Sequence, residues 1–278
     1  LSRYGGKNSR NNGYRFAIKT SWIFYGIKYL ELTKNIFSKG PWSVRNMLFV
    51  RGDDGMAAQL SIEHIRSLGG VARTFVAGSV ICDYDHDTPR LLFVLDGWAS
   101  RSKMLPNGTR FMTEFVLRGD MISTSLTALS RETVRAITNV TVMVFPDFTS
   151  LPKIEAPTFF YRIVIAELVR HQARMSERLA NIGRRDALEK TGYLLLELGA
   201  RIGTSRDYAN AEYFDCPLTQ ADIGDAVGLS TVHINRVLRD MREAGLLSFR
   251  NGIVAFLDRP RLADLVDFDE SCFDTTMV

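Results

Sequence analysis

From about residue 70 to residue 150 the apolar residues come in short runs cut by turn formers. The runs are Thr74–Val76, Val80–Cys82, Leu91–Leu95, Trp98–Leu105, Thr109–Leu117, Thr133–Thr138 and Val140–Phe145. Gly78, Gly97, Pro106-Asn107-Gly108 and Gly119-Asp120 stand between them. Runs of this length, with turn residues every eight to twelve positions, predict an antiparallel sandwich or barrel. A polar interlude follows Asp120, and a short helix is predicted ahead of the first run, at Ile62–Leu68.

The period then changes. Tyr161, Ile165, Leu168, Gln172, Met175, Leu179 and Ile182 recur in alternating steps of four and three, the spacing of a coiled-coil seam. Two arrangements satisfy it: pairing with a second copy of the chain, or one long helix folded back on the β domain. Self-pairing is the reading taken, with Gln172 setting register at some cost in stability. Pro157 sits near the start, Gly183 is read as a break, and a further helix is predicted from about Arg184 to Ile202. A polar loop, Gly203–Phe214, follows.

The stretch Leu218–Phe256 reads as two helices and a hairpin. Thr219 is a suitable N-cap for a helix ending near Val227, and Gly228 stops it. Ser230 caps a second helix reaching about Ala244, closed by Gly245. In this second helix Ile234, Val237, Leu238 and Met241 form an apolar stripe, which leaves Thr231, Val232, Asn235, Arg236 and Arg239 on other faces. A helix presented this way fits a DNA major groove, where a guanidinium pairs with two guanine acceptors and a threonine methyl touches thymine. The alternative is a helical hairpin whose arginines are solvated surface charges. Asn251-Gly252 between Leu-Leu-Ser-Phe-Arg and Ile-Val-Ala-Phe-Leu is a strong hairpin signal. It adds a wing and favours the DNA reading.

Composition changes this picture in three ways. The formal charge of +4 over 278 residues invites a nucleic-acid argument. However, residues 1–51 hold ten Lys/Arg and one Glu, so the rest of the chain is net acidic. Residues 217–252 hold four Arg against four Asp/Glu, so the DNA reading rests on where the residues stand. Cys82, Cys216 and Cys272 are scattered, which argues against a disulfide framework and suits a reducing, cytoplasmic setting. Ser21–Leu32 is too short to span a bilayer, and it carries Lys28 and Glu31.

Residues 1–55 are basic and have no methionine before Met47. They are either a basic extension of unassigned role or a segment upstream of a start at Met47 or Met56.

The chain resembles the cyclic-AMP receptor protein and fumarate-nitrate regulator (Crp/Fnr) family of bacterial transcription factors. The residues that carry the resemblance are LTQADIGDAVGLSTVHINRVLRDMREAGLL with its wing, RGD at 118–120, and NIGRRDALEKTGYLLLELGARI. It covers about residues 60–268 and is strongest over the last hundred. It implies an α+β fold with an N-terminal antiparallel β-roll of the cyclic-nucleotide-binding kind, a long dimerisation helix and a C-terminal winged helix-turn-helix. The domains are then 56–152 as effector or sensor, 157–182 as dimer helix and 184–268 as DNA reader.

Carried over residue by residue, Thr231, Val232, Asn235 and Arg236 occupy the places that read base edges. Val232 stands where a glutamate is frequent. Thr219, Gln220, Ser230 and His233 look like the phosphate-facing set, joined by Arg239, Arg250 and Asn251. A second reading of His233 is a partly buried neutral strut. Cyclic-nucleotide binders of this fold carry Gly-Glu-Leu and then Arg-Ser/Thr. Residues 119–132 here lack that glutamate and hold Arg131 out of register, so cyclic AMP is not expected and the effector stays unassigned. Arg131 and Arg135 are either ligands for another anion or surface charges. Three dispersed cysteines do not supply an iron-sulfur ligand set, and His64, His86 and His171 are isolated. No cofactor or metal is expected.

These readings converge on a homodimer that binds a pseudo-palindromic operator in double-stranded DNA, under a signal received at the β-roll. RNA polymerase is a further candidate partner, and no membrane is involved. A rival is a ligand sensor acting through protein contacts with a vestigial DNA module. An enzyme is disfavoured, because no nucleophile triad, paired carboxylates or glycine-rich phosphate loop stands at usable spacing.

Overall fold

The computed structural model describes residues 70–85, 90–146, 158–203, 205–206 and 212–270. The segment 1–55 and the helix expected at Ile62–Leu68 lie outside them. Among the described residues the N-terminal part holds eight strands and one helix: β1 Val71–Phe75, β2 Val80–Asp83, β3 Arg90–Asp96, β4 Ala99–Met104, β5 Arg110–Val116, β6 Met121–Ser123, α1 Thr124–Ser130, β7 Thr133–Ala136 and β8 Val140–Pro146. They form two antiparallel four-stranded sheets, ordered β1-β8-β3-β6 and β2-β7-β4-β5. The alternation of the strands puts Leu92, Val94, Ala99, Val116, Val134 and Val142 among the buried residues of one core.

The Pro106-Asn107-Gly108 turn joins β4 to β5 as expected, with Gly108 at positive φ and Asn107 Oδ1 accepting from the Thr109 amide. Thr113 is an extra residue in β5, since Arg101 faces Glu114 while Ser102 faces Met112. The polar interlude after Asp120 is not all loop. It contains β6 and α1, where Thr127 gives its hydroxyl to the Ser123 carbonyl and is fully buried.

Helix α2 runs Thr158–Arg184 and α3 runs Ala187–Ile202. Gly183 is therefore inside α2 and not the break. The chain turns at Arg185 and Asp186, because Asp186 accepts from the Leu188 and Glu189 amides while Glu189 reaches back to the Asp186 amide. Residues Thr191–Gly199 of α3 are buried without interruption. Leu194, Leu195 and Leu198 join Met112, Phe115 and Leu117 of the β-roll and the apolar residues of the C-terminal part in one cluster.

The C-terminal part contains β9 Ser205–Arg206, β10 Glu212–Asp215, α4 Gln220–Val227, α5 Thr231–Glu243, β11 Leu247–Arg250, β12 Ile253–Phe256 and α6 Arg259–Val266. The expected polar loop at Gly203–Phe214 thus holds two strands. The wing is accordingly a four-stranded sheet, β11-β12-β10-β9, rather than a two-stranded hairpin. No periodicity announced β9 and β10, which are short and take their pairing from β12. Helix α6 lies beyond the elements expected from the sequence; Asp258 caps it and Pro260 sits in its first turn. Among the described residues no helix is long and apolar enough to cross a membrane.

Two stripes run along α2. Val164, Glu167, His171, Arg174, Arg178 and Asn181 recur at the same three-four spacing as the apolar seam. They carry the contacts to the β-roll and to the helices that follow. The other stripe is left open within the chain: Ile165, Leu168, Gln172 and Leu179 are exposed, Leu179 at 74%, while Met175 and Ile182 are half-buried. Tyr161 lies on the same helix. The contacts within the chain therefore use one face of α2 and leave Ile165, Leu168, Gln172 and Leu179 exposed.

Candidate nucleic-acid interface

The two helices of the reader are bounded by local chemistry. Thr219 accepts from the Asp222 amide at 3.1 Å, and the Asp222 carboxylate accepts from the Thr219 amide and hydroxyl. At the other end of α4, Gly228 has φ +72 and its amide donates to the Gly224 carbonyl. A Cβ on Gly224 would stand 2.5 Å from the Leu229 carbonyl oxygen. Any larger residue there would push the turn off the helix. Ser230 then accepts from the His233 amide and starts α5.

Ile234, Val237, Leu238 and Met241 of α5 are buried against α4 and α3. The residues assigned to base contact all lie on the open side: Thr231, Asn235 and Arg236 are exposed, and Val232 is 72% exposed. Asn235 donates one amide hydrogen to the Thr231 carbonyl at 3.1 Å. The Arg236 side chain has no hydrogen bond or ion pair among the described residues. Its guanidinium keeps all five donors for a base pair.

The residues assigned to phosphate are less uniform. Gln220 opens α4, where unpaired amides and the helix dipole favour an anion. The Thr219 and Ser230 hydroxyls are occupied by caps, so a phosphate would share them. His233 is exposed, which removes the reading of it as a partly buried strut. Arg239 lies loosely beside Asp240 at 3.6 Å and Glu243 at 3.9 Å, exposed pairs worth little that a phosphate can displace. Arg250 and Asn251 are exposed at the wing turn, where Asn251 and Gly252 both take positive φ, as a tight hairpin of this type needs.

Beneath the wing, Cys216 is buried, and its amide donates to the Gly252 carbonyl. Burial pushes its thiol up to about 12. The thiol is thus neutral at working pH, and the stability this burial lends is present below the ordinary thiol value near 9.0 and lost as pH rises toward 12. Alkylation at pH 8 is expected to spare Cys216 in the folded protein and to label it in urea. Peptide mapping that found equal labelling in both states would contradict the burial.

The residues that sequence reasoning missed lie where the β-roll, α2 and α3 meet. Glu114 of β5 accepts from Arg174 Nε at 3.1 Å, lies 3.4 Å from Arg101 Nε and is bonded to His171 Nδ1 at 3.2 Å. Arg174 also meets Glu167 at 3.1 Å and Asp120 at 3.5 Å, and Asp120 is paired with Arg201 of α3. Burial works to raise the Glu114 carboxyl, but the His171 hydrogen bond and the charges of Arg174 and Arg101 outweigh it and hold it well below the usual carboxylate range. Glu167 goes the other way, raised by burial and by the nearby Asp120 charge.

The stretch 119–132, aligned above with the nucleotide-binding motif, feeds this cluster. Asp120 is one of its members, and Glu132 accepts from the Ser130 hydroxyl and lies 3.8 Å from Arg101. Arg131 and Arg135 are exposed, and Arg135 donates to the Gly78 carbonyl. The sign of the cluster in the sequence is the charged stripe on α2, one position before each residue of the apolar one and about 100° around the helix.

Residues 189–265 match the Crp-like helix-turn-helix domain. The nitrogen fixation regulation protein FixK of Bradyrhizobium diazoefficiens is 25% identical over 191 residues, 69% of this chain and 80% of that protein. FixK of Azorhizobium caulinodans is 25% identical over 185 residues, 64% of this chain and 72% of that protein. Among solved structures, FixK2 from Bradyrhizobium japonicum superposes with a TM-score of 0.60 at 21% identity, covering 70% of this chain and 96% of that one. A transcriptional regulator of the CRP family from Thermus thermophilus gives 0.59 at 22% identity, covering 70% and 97%.

Proposed function

From the premise that the chain has the Crp/Fnr architecture and carries a Crp-like helix-turn-helix, we propose that it is a sequence-specific DNA-binding transcription regulator. It works as a homodimer on a pseudo-palindromic operator. Each α5 enters a major groove, with the two half-sites about 34 Å apart on one face of the duplex. The observation that carries this reading is the open face of α5, where a free Arg236 stands beside Thr231, Val232 and Asn235 on a helix whose other face is buried. The FixK relatives are regulators by name, which supports it. The seam of α2 supplies the second copy. The signal that tunes the protein acts through the β-roll, and RNA polymerase is the partner through which bound dimer affects transcription.

Base reading by Arg236 has a direct test. Arg236→Ala is expected to weaken binding to the selected operator by about 1–3 kcal/mol and to relax preference at one base pair, while binding to random duplex changes little. Titration of both duplexes at one salt concentration checks it. Equal losses on the two would make Arg236 a phosphate contact and remove its reading role.

A further inference from the structure

The DNA reader is tied to the rest of the chain by guanidinium groups that the open face of α5 does not use. Strand β5 is at the edge of its sheet, so one row of its backbone groups has no strand partner. Arginines from two helices cap two carbonyls of this strand. Arg178 of α2 donates to the Met112 carbonyl at 2.8 Å, and Arg201 of α3 donates to the Phe115 carbonyl at 3.1 Å. Arg178 also donates to the Ala226 carbonyl at 3.0 Å. That carbonyl belongs to the last turn of α4, where no intrahelical amide is available. One side chain of the seam helix thus pins both the β-roll edge and the first helix of the reader.

A second tie runs from the first residue of β5. Arg110 Nε donates to Asp225 Oδ2 at 2.7 Å and Nη2 to Asp222 Oδ1 at 2.9 Å, so its fork spans two carboxylates of α4. Asp222 is also the residue that completes the Thr219 cap. The tie therefore reaches the end of α4 that is assigned to phosphate. Arg178 is the neighbour of Leu179, so the pin and the seam share one turn of α2. Neither tie covers the reading face, since Thr231, Val232, Asn235 and Arg236 remain exposed.

We propose that Arg110, Asp225 and Arg178 are positioning residues for operator binding: they hold α4, and with it α5, at one angle to the dimer helix, and so set the half-site spacing that the dimer accepts. This rests on the reading of α5 as the DNA reader and α2 as the dimer helix. Adding one base pair between half-sites moves one of them by about 3.4 Å and turns it by about 35° around the duplex. A reader held at two points by charged groups resists that change.

The test is binding to a set of duplexes in which two identical half-sites are separated by spacers of graded length, with a single half-site as control. The full chain is expected to prefer one spacer sharply. Arg110→Asp is expected to lose about tenfold at that spacer, to lose less at spacers one base pair longer or shorter, and to bind the single half-site as before. Pairing it with Asp225→Arg, which restores the net charge and the pair together, is expected to recover the preference, whereas Asp96→Arg, which restores the same charge at an exposed position of β3, is not. Arg110→Gln serves as a milder variant, and circular dichroism and thermal melting establish that each variant is folded. An unchanged spacer profile in folded Arg110→Asp overturns the positioning role alone, as does tighter binding at the preferred spacer. If the unmodified chain binds no duplex, or binds all spacers equally, the DNA-reader reading itself fails.

Discussion

Glu114→Gln is expected to destabilise the protein by about 3 kcal/mol, near the low end for removing one partner of a buried ion pair. The carboxylate is 4% exposed, and it faces Arg174, Arg101 and His171 together. An amide of the same size keeps the volume and removes the charge. Among the described residues Arg101 would retain the carboxylate of Glu132 at 3.8 Å, while Arg174 would still meet Asp120 and Glu167, which is why the low end applies. The loss depends on pH in a definite direction. Because the folded carboxyl sits well below its usual value of about 4.5, its contribution is full above that pH and is lost as pH falls through the folded value. The gap between parent and variant should therefore shrink on acidification. Urea denaturation at pH 7 and at steps of falling pH to the acid limit of the folded state measures both effects. A loss under about 1 kcal/mol at pH 7 would mean that water reaches the arginines and that the cluster is not dry.

Replacing Leu168 and Leu179 by aspartate is expected to give a folded monomer whose operator affinity falls about 10²–10⁴-fold, because the second half-site is then no longer bound intramolecularly. Both leucines stand on the exposed stripe of α2, at 37% and 74% exposure, so neither change opens a cavity in the chain's own core. Single half-site binding should be unaffected. Light scattering reads the mass, and titration of one-site and two-site duplexes reads the coupling. A variant that remains a dimer would place the pairing surface elsewhere and remove Ile165, Gln172 and Met175 from it as well.

Much of the reader was legible because its signals are short-range. The Thr219 and Ser230 caps, the Gly228 turn, and the Asn251-Gly252 hairpin each involve partners within a few residues, and a local partner is always at hand when the segment folds. The apolar stripe of α5 and the seam of α2 were legible for a related reason: a helical period shows which residues share a face. It does not show what that face meets. The α2 helix carries two stripes with the same spacing, and the polar one turned out to be the side packed inward. Polarity usually points to solvent, and it misleads when charges arrive already paired.

The shorter elements were illegible for a different reason. Strands β9 and β10 have two and four residues, too few to show alternation, and they exist because β12 offers an unpaired edge. Helix α1 has seven residues without an apolar stripe, and its buried threonine bonds back to the preceding turn.

Local chemistry, then, settled the order of the parts, the limits of the two reader helices, and the side of α5 that is free. What no local rule could supply is the pairing of charges remote in sequence: Glu114 with Arg174 across 60 positions, and Arg110 with Asp225 across 115. An isolated arginine is satisfied by water or by any carboxylate. Only the packing of α2, α3 and α4 against β5 brings these partners together, shielding Arg174 and Arg201 from water while Arg110 stays partly exposed, and with them it sets the angle at which the reader is held.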